Sequence, residues 1–266
     1  MQKPFLKWVG GKTWLVERIR SFIPADYKRY FEPFLGSGAL FFSLANGNPS
    51  FLSDLNTDLI NTFIQVRRNC TKVIAHLKSY RNSEKNYYRI RASIPRSQVE
   101  QAARFIFLNR TCYNGVYRVN RKGQFNVPYC HDKSIKILEA NSLRAASKAL
   151  NNSTLIVCDF EEILAHITRK DFVFLDPPYT VAHENNGFIE YNQKLFSWED
   201  QERLASFVER LSSKGAYYIL TNARHASIYK LYSRLGKSFE LQRKNTITSH
   251  IGKRGKTLEY LFTNCL

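Results

Sequence analysis

The chain contains the stretch FVFLDPPY at residues 172–179. Its first four residues are apolar and of strand-forming types, which predicts a strand that is buried on both faces. Because proline has no N–H to donate to a sheet, the strand is expected to end at Asp176. Ligands of open α/β sheets bind at the carboxyl ends of the strands, so the stretch predicts a crevice that contains Asp176 and Tyr179.

Such a crevice suits chemistry on a flat amine. Asp176 offers an anionic acceptor, the main-chain carbonyl of Pro177 offers a second acceptor, and Tyr179 offers a ring face for stacking. The alternative is that Asp-Pro-Pro is only a turn that ends a strand. The buried strand before the motif and the aromatic residue after it favour a binding site.

Composition limits the classes of protein that this chain can belong to. With 266 residues, 44% of them hydrophobic, it can form one large domain or a domain that carries an insertion. Lys and Arg number 40 against 22 acids, and the net charge of +18 predicts a polyanionic partner, with nucleic acid as the first candidate.

The five cysteines have no C-x-x-C spacing, which indicates neither a disulfide framework nor a metal site and is typical of a reducing cytoplasm. The sequence has no signal-peptide pattern and no apolar run of about 18 residues, so no membrane association is expected.

Residues 5–13, FLKWVGGKT, invite comparison with a phosphate-binding loop. That pattern needs a glycine five positions before Gly11, where this chain has Leu6, and no strand is predicted before it. The stretch instead predicts a flexible loop that holds the cation of Lys12 near the indole of Trp8.

A strand, a glycine turn and a helix are predicted in succession at residues 30–34, 35–38 and from Ala39 onward. This order opens a nucleotide-binding βαβ unit, although the full G-x-G-x-x-G spacing of a dinucleotide site is absent. Glycines allow a ligand to approach the backbone closely, and a helix amino terminus favours an anion. The next strand, residues 51–53, ends at Asp54, about 20 residues on, where an acid can hold ribose hydroxyls. Tight packing is the alternative explanation for the glycines.

Residues 69–150 follow a different pattern, which predicts an insertion with small helices of its own. A capping box at residues 97–100, SQVE, opens one helix. In the stretch 109–128, alternating residues on both sides of a glycine-containing basic turn at residues 120–124 then predict a β-hairpin. The hairpin carries the basic residues Arg118, Arg121 and Lys122. It is suited to a DNA groove, where arginine can contact guanine with two hydrogen bonds, and a solvated basic turn is the alternative.

The last third of the chain predicts a polar loop over residues 180–192, a helix capped at residues 197–200, and strands at 216–220 and 258–262. A basic cluster precedes the last strand and predicts contacts with phosphates, or otherwise a solvated loop. Its members are Arg243, Lys244, Lys253, Arg254 and Lys256.

The order of FLKWxGGK, EPFxGSG, SDLN and DPPY resembles the Dam family of DNA adenine methyltransferases, from residue 3 to about residue 262. The resemblance implies a mixed, mostly parallel Rossmann-like α/β sheet with an inserted helical and β-hairpin DNA-recognition domain. The implied catalytic parts are residues 1–69 and 151–266, and the implied target-recognition part is residues 70–150.

The resemblance also implies roles for individual residues. Asp176, Pro177 and Tyr179 would hold the target amine. S-adenosylmethionine would be bound by Trp8, Lys12, Phe34, Gly36, Asp54, Asp159, Phe160 and Asp176. DNA would be contacted by Lys7, Tyr113, Asn114, Val116, Arg118 and Pro128, in addition to the hairpin residues Arg121 and Lys122.

The implied activity is methyl transfer from S-adenosylmethionine to an adenine flipped out of double-stranded DNA, with GATC as the expected target. A cytoplasmic monomer that needs no metal is expected. Two other classes remain open: methyltransferases that act on RNA or on protein glutamine, and DNA-binding regulators without catalysis. The Arg118 hairpin favours duplex DNA over the first class, and the acids Asp54 and Asp176 favour an enzyme over the second.

Overall fold

The computed structural model describes residues 2–44, 47–180, 196–244 and 256–266. Seven strands form a mostly parallel sheet that is accompanied by helices, which confirms the predicted α/β fold class. The chain divides into two compact units. The first comprises Met1–Val16 and Leu35–Val157, and the second comprises Glu17–Phe34 and Cys158–Leu266.

The described elements have the following bounds. The helices are α1 (Val16–Ile19), α2 (Ala39–Leu44), α3 (Thr57–Ser79), α4 (Glu84–Ala92), α5 (Gln98–Thr111), α6 (Ala140–Ala149), α7 (Trp198–Ser213) and α8 (Ala226–Tyr232). The strands are β1 (Tyr30–Glu32), β2 (Ser50–Asp54), β3 (Ser153–Val157), β4 (Phe172–Leu175), β5 (Tyr217–Ala223), β6 (Lys237–Lys244) and β7 (Lys256–Thr263).

The first unit combines the parallel pair β2 and β3 with most of the helices. The Asn56 side chain caps α3 by accepting a hydrogen bond from the Leu59 N–H at 3.0 Å. Helix α3 packs most extensively against α5. It kinks at Asn69 (φ −130°, ψ 32°) and then continues, so the predicted start of the insertion at residue 70 lies within this helix.

The predicted start of α5 is confirmed, with one difference in its cap. The Ser97 hydroxyl accepts a hydrogen bond from the Glu100 N–H at 3.2 Å, as a capping box requires. The Glu100 carboxylate, however, accepts from the N–H of Arg96 at 2.8 Å, one residue earlier than the reciprocal bond of a capping box. The orphan N–H groups before α5 are therefore satisfied by a variant of the predicted arrangement.

The second unit is organised around β4, whose four side chains are all buried. Strand β4 lies between the parallel strands β1 and β5, while β7 pairs antiparallel with both β5 and β6. The carboxyl ends of β4 and β5 therefore meet at one edge of the sheet. Because β7 runs the other way, Glu259 near its beginning lies opposite Ala223 at the end of β5.

The cap predicted for α7 at residues 197–200 is confirmed, and it is a capping box with both of its hydrogen bonds. The Ser197 hydroxyl accepts from the Asp200 N–H at 3.1 Å, and the Asp200 carboxylate accepts from the Ser197 N–H at 2.8 Å. Local sequence is sufficient to specify such a cap, because both partners lie within one turn of the helix.

Several features bear on the class of protein. Among the described helices, none has the length and apolar character of a membrane-spanning segment. No cluster of His, Cys, Asp or Glu suited to a metal ion occurs within the described ranges. The cysteines at positions 70, 112, 130 and 265 are free thiols.

Some predicted features lie outside the described residues. They are residues 181–192 of the polar loop predicted at 180–192, residues 45–46 of the helix predicted from Ala39 onward, and Lys253 and Arg254 of the basic cluster. The other members of that cluster belong to β6 and β7.

Candidate active site

Asp176 follows directly after the last residue of β4, as predicted from the proline pair. Its Oδ1 accepts a hydrogen bond from the hydroxyl of Thr221 at 2.7 Å, and the Tyr179 hydroxyl lies 3.5 Å from the same oxygen. Thr221 is fully buried on β5, the neighbouring strand. The carboxylate is therefore held by the rigid part of the fold and not only by its own loop.

The hydroxyl of Tyr179 is anchored to the start of β7. It donates a hydrogen bond to Oε2 of Glu259 at 2.9 Å, and Glu259 is only 1% exposed. Burial and the negative charges of Asp176 and Glu259 raise the pKa of Tyr179 well above its usual value. Tyr179 is therefore a neutral donor at physiological pH. Sequence reasoning found Asp176 and Tyr179 but missed Thr221 and Glu259, because a threonine and a glutamate within strands carry no local signal.

The predicted glycine loop is tied to Asp54 in the first unit. Oδ2 of Asp54 accepts from the N–H of Gly36 at 3.1 Å, and Oδ1 accepts from the N–H of Asn56 at 3.0 Å. Burial raises the pKa of Asp54, and hydrogen bonds from backbone N–H groups oppose that shift without cancelling it. The structure thus brings Gly36 and Asp54 together, as the predicted nucleotide site requires.

Trp8 covers the glycine loop. A Cβ atom added to Gly36 would lie 2.7 Å from Cδ1 of the Trp8 indole, so the two residues are in close contact. The indole also stacks on the ring of Tyr117, with ring centroids 6.0 Å apart and planes inclined by 19°. Lys12, predicted near this indole, is buried and only 4% exposed. Tyr117 was not predicted as a site residue, and no signal in its local sequence distinguishes it from an ordinary hairpin aromatic.

Replacing Gly36 by Ala is expected to lower the free energy of unfolding by about 2–4 kcal/mol, since a positive φ and a collision with Trp8 both oppose a side chain. Gly36 has φ +47°. Gly123 is a matched control, because it has φ +73° but nothing within 4 Å of an added Cβ. Its replacement by Ala is expected to cost only about 1–2 kcal/mol. Equal losses in urea denaturation would contradict the close contact with Trp8.

Asp159 and Phe160, predicted as a pair, occupy a charged and aromatic cluster in the second unit. The Arg203 guanidinium donates to Asp159 Oδ1 at 2.8 Å and lies 5.0 Å from the centroid of the Phe160 ring. The Phe160 ring is buried and lies 5.5 Å from the ring of Phe34. Three predicted cofactor residues, Phe34, Asp159 and Phe160, are therefore close together, and Arg203 is an additional residue that sequence reasoning missed.

The predicted hairpin forms, although it is shorter than two regular strands. An antiparallel bridge joins Val119 and Phe125, and the turn is closed by the Asn120 N–H, which donates to the Gln124 carbonyl at 2.8 Å. Arg118 is exposed, and its Nε donates to Oδ1 of Asn126 at 2.8 Å. Arg121 and Lys122 are exposed at the turn.

Lys7 is held beside the turn Tyr113–Gly115. The buried side chain of Asn109 accepts from the Lys7 N–H at 2.9 Å and donates to the Lys7 carbonyl at 2.8 Å. The same Asn109 amide donates to the Gly115 carbonyl at 3.2 Å, and a Cβ on Gly115 would lie 2.6 Å from the Lys7 Cβ. The structure thus brings Lys7, Tyr113 and Asn114 together through Asn109, which sequence reasoning missed.

Comparison with known proteins gives one consistent family. The family model for D12 class N6 adenine-specific DNA methyltransferases matches residues 8–249. The type II methyltransferase M1.LlaDCHI of Lactococcus lactis subsp. cremoris is 38% identical, over 98% of this chain and 95% of its own length.

Two further relatives agree with that result. The type II methyltransferase M.MjaIII of Methanocaldococcus jannaschii is 37% identical, over 86% of this chain and 88% of its own length. The DNA adenine methylase of Serratia marcescens is 29% identical, over 97% of both chains. The family match covers most of the chain and includes the glycine loop, the hairpin and the Asp-Pro-Pro-Tyr motif. This chain belongs to the D12 class of N6 adenine-specific DNA methyltransferases.

Proposed function

We propose that this DNA adenine methyltransferase uses S-adenosylmethionine to methylate the N6 amine of an adenine that it flips out of duplex DNA, and that its target is GATC. The observation that carries the proposal is the setting of Asp176, an acid at the carboxyl end of a fully buried strand whose Oδ1 accepts from buried Thr221. A carboxylate held in this way can accept an N–H of the amine while the nitrogen lone pair attacks.

The motif residues would act on the amine directly. An adenine amine inside a duplex cannot be reached, so the base must be flipped out at a cost of a few kcal/mol, roughly, and stacked in a pocket. We assign the stacking surface to Tyr179, whose ring orientation is restricted by the hydrogen bond from its hydroxyl to Glu259. Asp176 and the Pro177 carbonyl would accept the two amine hydrogens, which leaves the nitrogen lone pair available. Such positioning can contribute about 7–11 kcal/mol to catalysis.

S-adenosylmethionine supplies an electrophilic methyl group carried on a positively charged sulfur. The residues around Gly36 fit the nucleoside part of this molecule. Positive φ at Gly36 exposes backbone at a loop where a side chain would collide with Trp8. Asp54 has two oxygens with about four acceptor positions, so it can accept ribose hydroxyls in addition to its backbone N–H partners. Lys12 is the positively charged residue among those that we assign to S-adenosylmethionine around Gly36.

A second group would contact the adenine of the cofactor. Asp159 provides a carboxylate beside the Phe160 ring, and Phe34 adds a second aromatic ring. Asp176 is assigned to the cofactor as well as to the amine, because its negative charge favours a positively charged sulfur. The support for these assignments is the chemistry of the side chains and their match to the family motifs.

We propose further that residues 70–150 recognise the target and that residues 1–69 and 151–266 form the catalytic part. The Asn109 side chain ties the proposed recognition part to Lys7, because it holds the Lys7 backbone next to the Tyr113–Gly115 turn. The side chains assigned to DNA are Lys7, Tyr113, Asn114, Val116, Arg118, Arg121, Lys122 and Pro128. Duplex DNA is the expected partner, and the net charge of +18 favours it.

Replacing Arg118 by Ala is expected to reduce discrimination at one guanine by about 1–3 kcal/mol, the value of a good two-bond contact between arginine and guanine. The bond from Arg118 Nε to Asn126 orients the terminal nitrogens, which are the donors for guanine. The measurement is a set of GATC duplexes with single base-pair substitutions, assayed for methylation and for binding at several salt concentrations.

Lys122 at the turn of the same hairpin is the matched control. Its replacement by Ala is expected to weaken binding to all sequences alike and to lower the slope of log K against log salt by about one. If Arg118→Ala behaves in the same way as Lys122→Ala, the hairpin is an electrostatic clamp and the GATC assignment is wrong.

The proposed function as a whole is tested by plasmid protection. A plasmid incubated with the enzyme and S-adenosylmethionine should resist a nuclease that cuts only unmethylated GATC, and its hydrolysed nucleosides should contain N6-methyladenine. If N6-methyladenine is found but the plasmid is still cut, the methylation of adenine stands and the assignment of GATC as the target is wrong. The absence of N6-methyladenine would overturn the proposal.

A further inference from the structure

The hydroxyl of Thr221 forms a short hydrogen bond with Asp176, the acid of the Asp-Pro-Pro-Tyr motif. Thr221 is 0% exposed on β5, and its Oγ1 lies 2.7 Å from Asp176 Oδ1 and 3.4 Å from the Leu175 carbonyl. A threonine hydroxyl has one hydrogen to donate, and a hydrogen bond to an ionised acceptor is shorter and stronger than one to a neutral carbonyl. The hydrogen therefore belongs to the bond with Asp176.

The second hydroxyl near Asp176 has a different acceptor. Tyr179 lies 3.5 Å from Asp176 Oδ1 but donates at 2.9 Å to Glu259 Oε2. Its single hydrogen is thus directed to Glu259, and its contact with Asp176 is long for an O–H donor. Between these two hydroxyls, Thr221 is the one that restrains the Asp176 carboxylate.

The position of Thr221 makes that restraint rigid. Leu220, its neighbour on β5, is in register with Leu175, the last residue of β4. Asp176 and Thr221 thus come at corresponding points beyond one hydrogen-bonded pair of strands. A carboxylate on a loop can rotate about its last side-chain bond, and a donor fixed in a neighbouring buried strand limits that rotation.

We propose that Thr221 is a positioning residue for methyl transfer, which sets the plane of the Asp176 carboxylate so that it meets the flipped amine in the productive orientation. The inference rests on the proposed role of Asp176. Thr221 itself touches neither the base nor the methyl group, and its effect is exerted through Asp176. Misplacement of a reacting group by about 1 Å can cost on the order of 100-fold in rate.

The test compares two variants at position 221. Thr221→Val keeps the shape and removes the hydroxyl, and it is expected to lower kcat about 10- to 100-fold, the range for a hydrogen bond to a charged group. Thr221→Ser restores the donor and should return kcat to within about 3-fold of the native enzyme. The dissociation constant for duplex DNA should stay within about 2-fold in both variants, because Thr221 is not among the residues assigned to DNA.

Thr263 offers a matched control on β7. It is also 0% exposed, and its hydroxyl donates to a backbone carbonyl, that of Tyr218, at 2.6 Å. Thr263→Val therefore removes a buried threonine hydroxyl without touching Asp176. Its kcat should remain within about 2-fold of the native value once the folded fraction has been measured by urea denaturation.

The dependence of kcat on pH gives a readout that a purely structural role would not change. Protonated Asp176 cannot accept the amine hydrogen, so activity falls on the acid side. Loss of the Thr221 donor disfavours the ionised carboxylate. Glu259 and Tyr179 face the same site, and because a hydrogen bond from Thr221 lowers the pKa of Tyr179, its loss leaves Tyr179 still more strongly neutral. The acid limb of Thr221→Val should therefore move to higher pH. Thr221→Ser should keep the native limb.

The outcomes separate the inference from the proposed function. If the native enzyme forms no N6-methyladenine, the proposed function fails and the inference fails with it. If the native enzyme is active and Thr221→Val has native kcat, the inference alone is overturned. It is also overturned if Thr263→Val loses as much activity as Thr221→Val, or if folded Thr221→Ser is as slow as Thr221→Val. Should Thr221→Val not fold, Thr221→Cys takes its place. Its S–H group is a weak donor, so its kcat is expected to lie below that of Thr221→Ser and above the value expected for Thr221→Val.

Discussion

Replacing Asp176 by Ala is expected to reduce methyl transfer by about 1,000-fold or more, while binding of duplex DNA stays within about 2-fold at each salt concentration. In the proposed mechanism the carboxylate accepts from the reacting amine, and the phosphate contacts are assigned to basic residues elsewhere in the chain. Asp176 lies at the end of buried β4 and is bonded to Thr221. The measurement is single-turnover transfer of a labelled methyl group, together with a binding titration over a range of salt.

Asp176→Asn is the control for shape, since it keeps the size of the side chain and one acceptor oxygen but loses the charge. We expect it to retain more activity than the alanine variant and far less than the native enzyme. Turnover by Asp176→Ala above about one tenth of the native rate would remove Asp176 from the chemical step. An equal loss of DNA binding would place the acid in DNA recognition instead.

Replacing Asp54 by Ala is expected to weaken S-adenosylmethionine binding by about 1.5–3 kcal/mol, the range for hydrogen bonds to a charged group. Two effects contribute. The ribose loses its acceptor, and the N–H groups of Gly36 and Asn56 lose theirs, so the glycine loop is held less firmly. Calorimetry measures the change directly, with unchanged affinity as the result that would remove Asp54 from the cofactor site.

Asp132→Ala is the matched control, because Asp132 is an exposed acid of the same unit whose carboxylate, among the contacts described, accepts hydrogen bonds only from Ser134 of its own turn. The cofactor affinity of Asp132→Ala should equal that of the native enzyme.

The dependence of cofactor affinity on pH is a second test of Asp54. Burial raises the pKa of Asp54, so the native enzyme should begin to lose cofactor affinity at a higher pH than an ordinary aspartate would predict as the solution is acidified. Asp54→Ala should not show that loss.

Much of the fold follows from short stretches of sequence. The apolar run ended by two prolines predicts β4 and its end at Asp176, and both are observed. The pair Ser197 and Asp200 predicts the start of α7, because a capping box is completed within four residues. The glycines of the loop before α2 are likewise recognisable, since the positive φ of Gly36 and Gly38 favours glycine, and Asp54 is recognisable as the acid that ends a predicted strand.

The partners of the site residues could not be predicted in this way. Thr221 is 45 residues from Asp176, Glu259 is 80 residues from Tyr179, and Asn109 is 102 residues from Lys7. Each partner has the residue type of an ordinary strand or helix position.

By itself, the sequence determined several strands and helices, among them β4 and α7, and the acids Asp54 and Asp176 at strand ends, because periodicity, caps and prolines act over a few residues. The tertiary structure alone decided which buried hydroxyl, carboxylate and amide meet those acids and the Lys7 backbone. The physical reason is that a hydrogen bond between distant residues depends on strand register and helix packing, which bring side chains within 3 Å of one another only after the whole chain has folded.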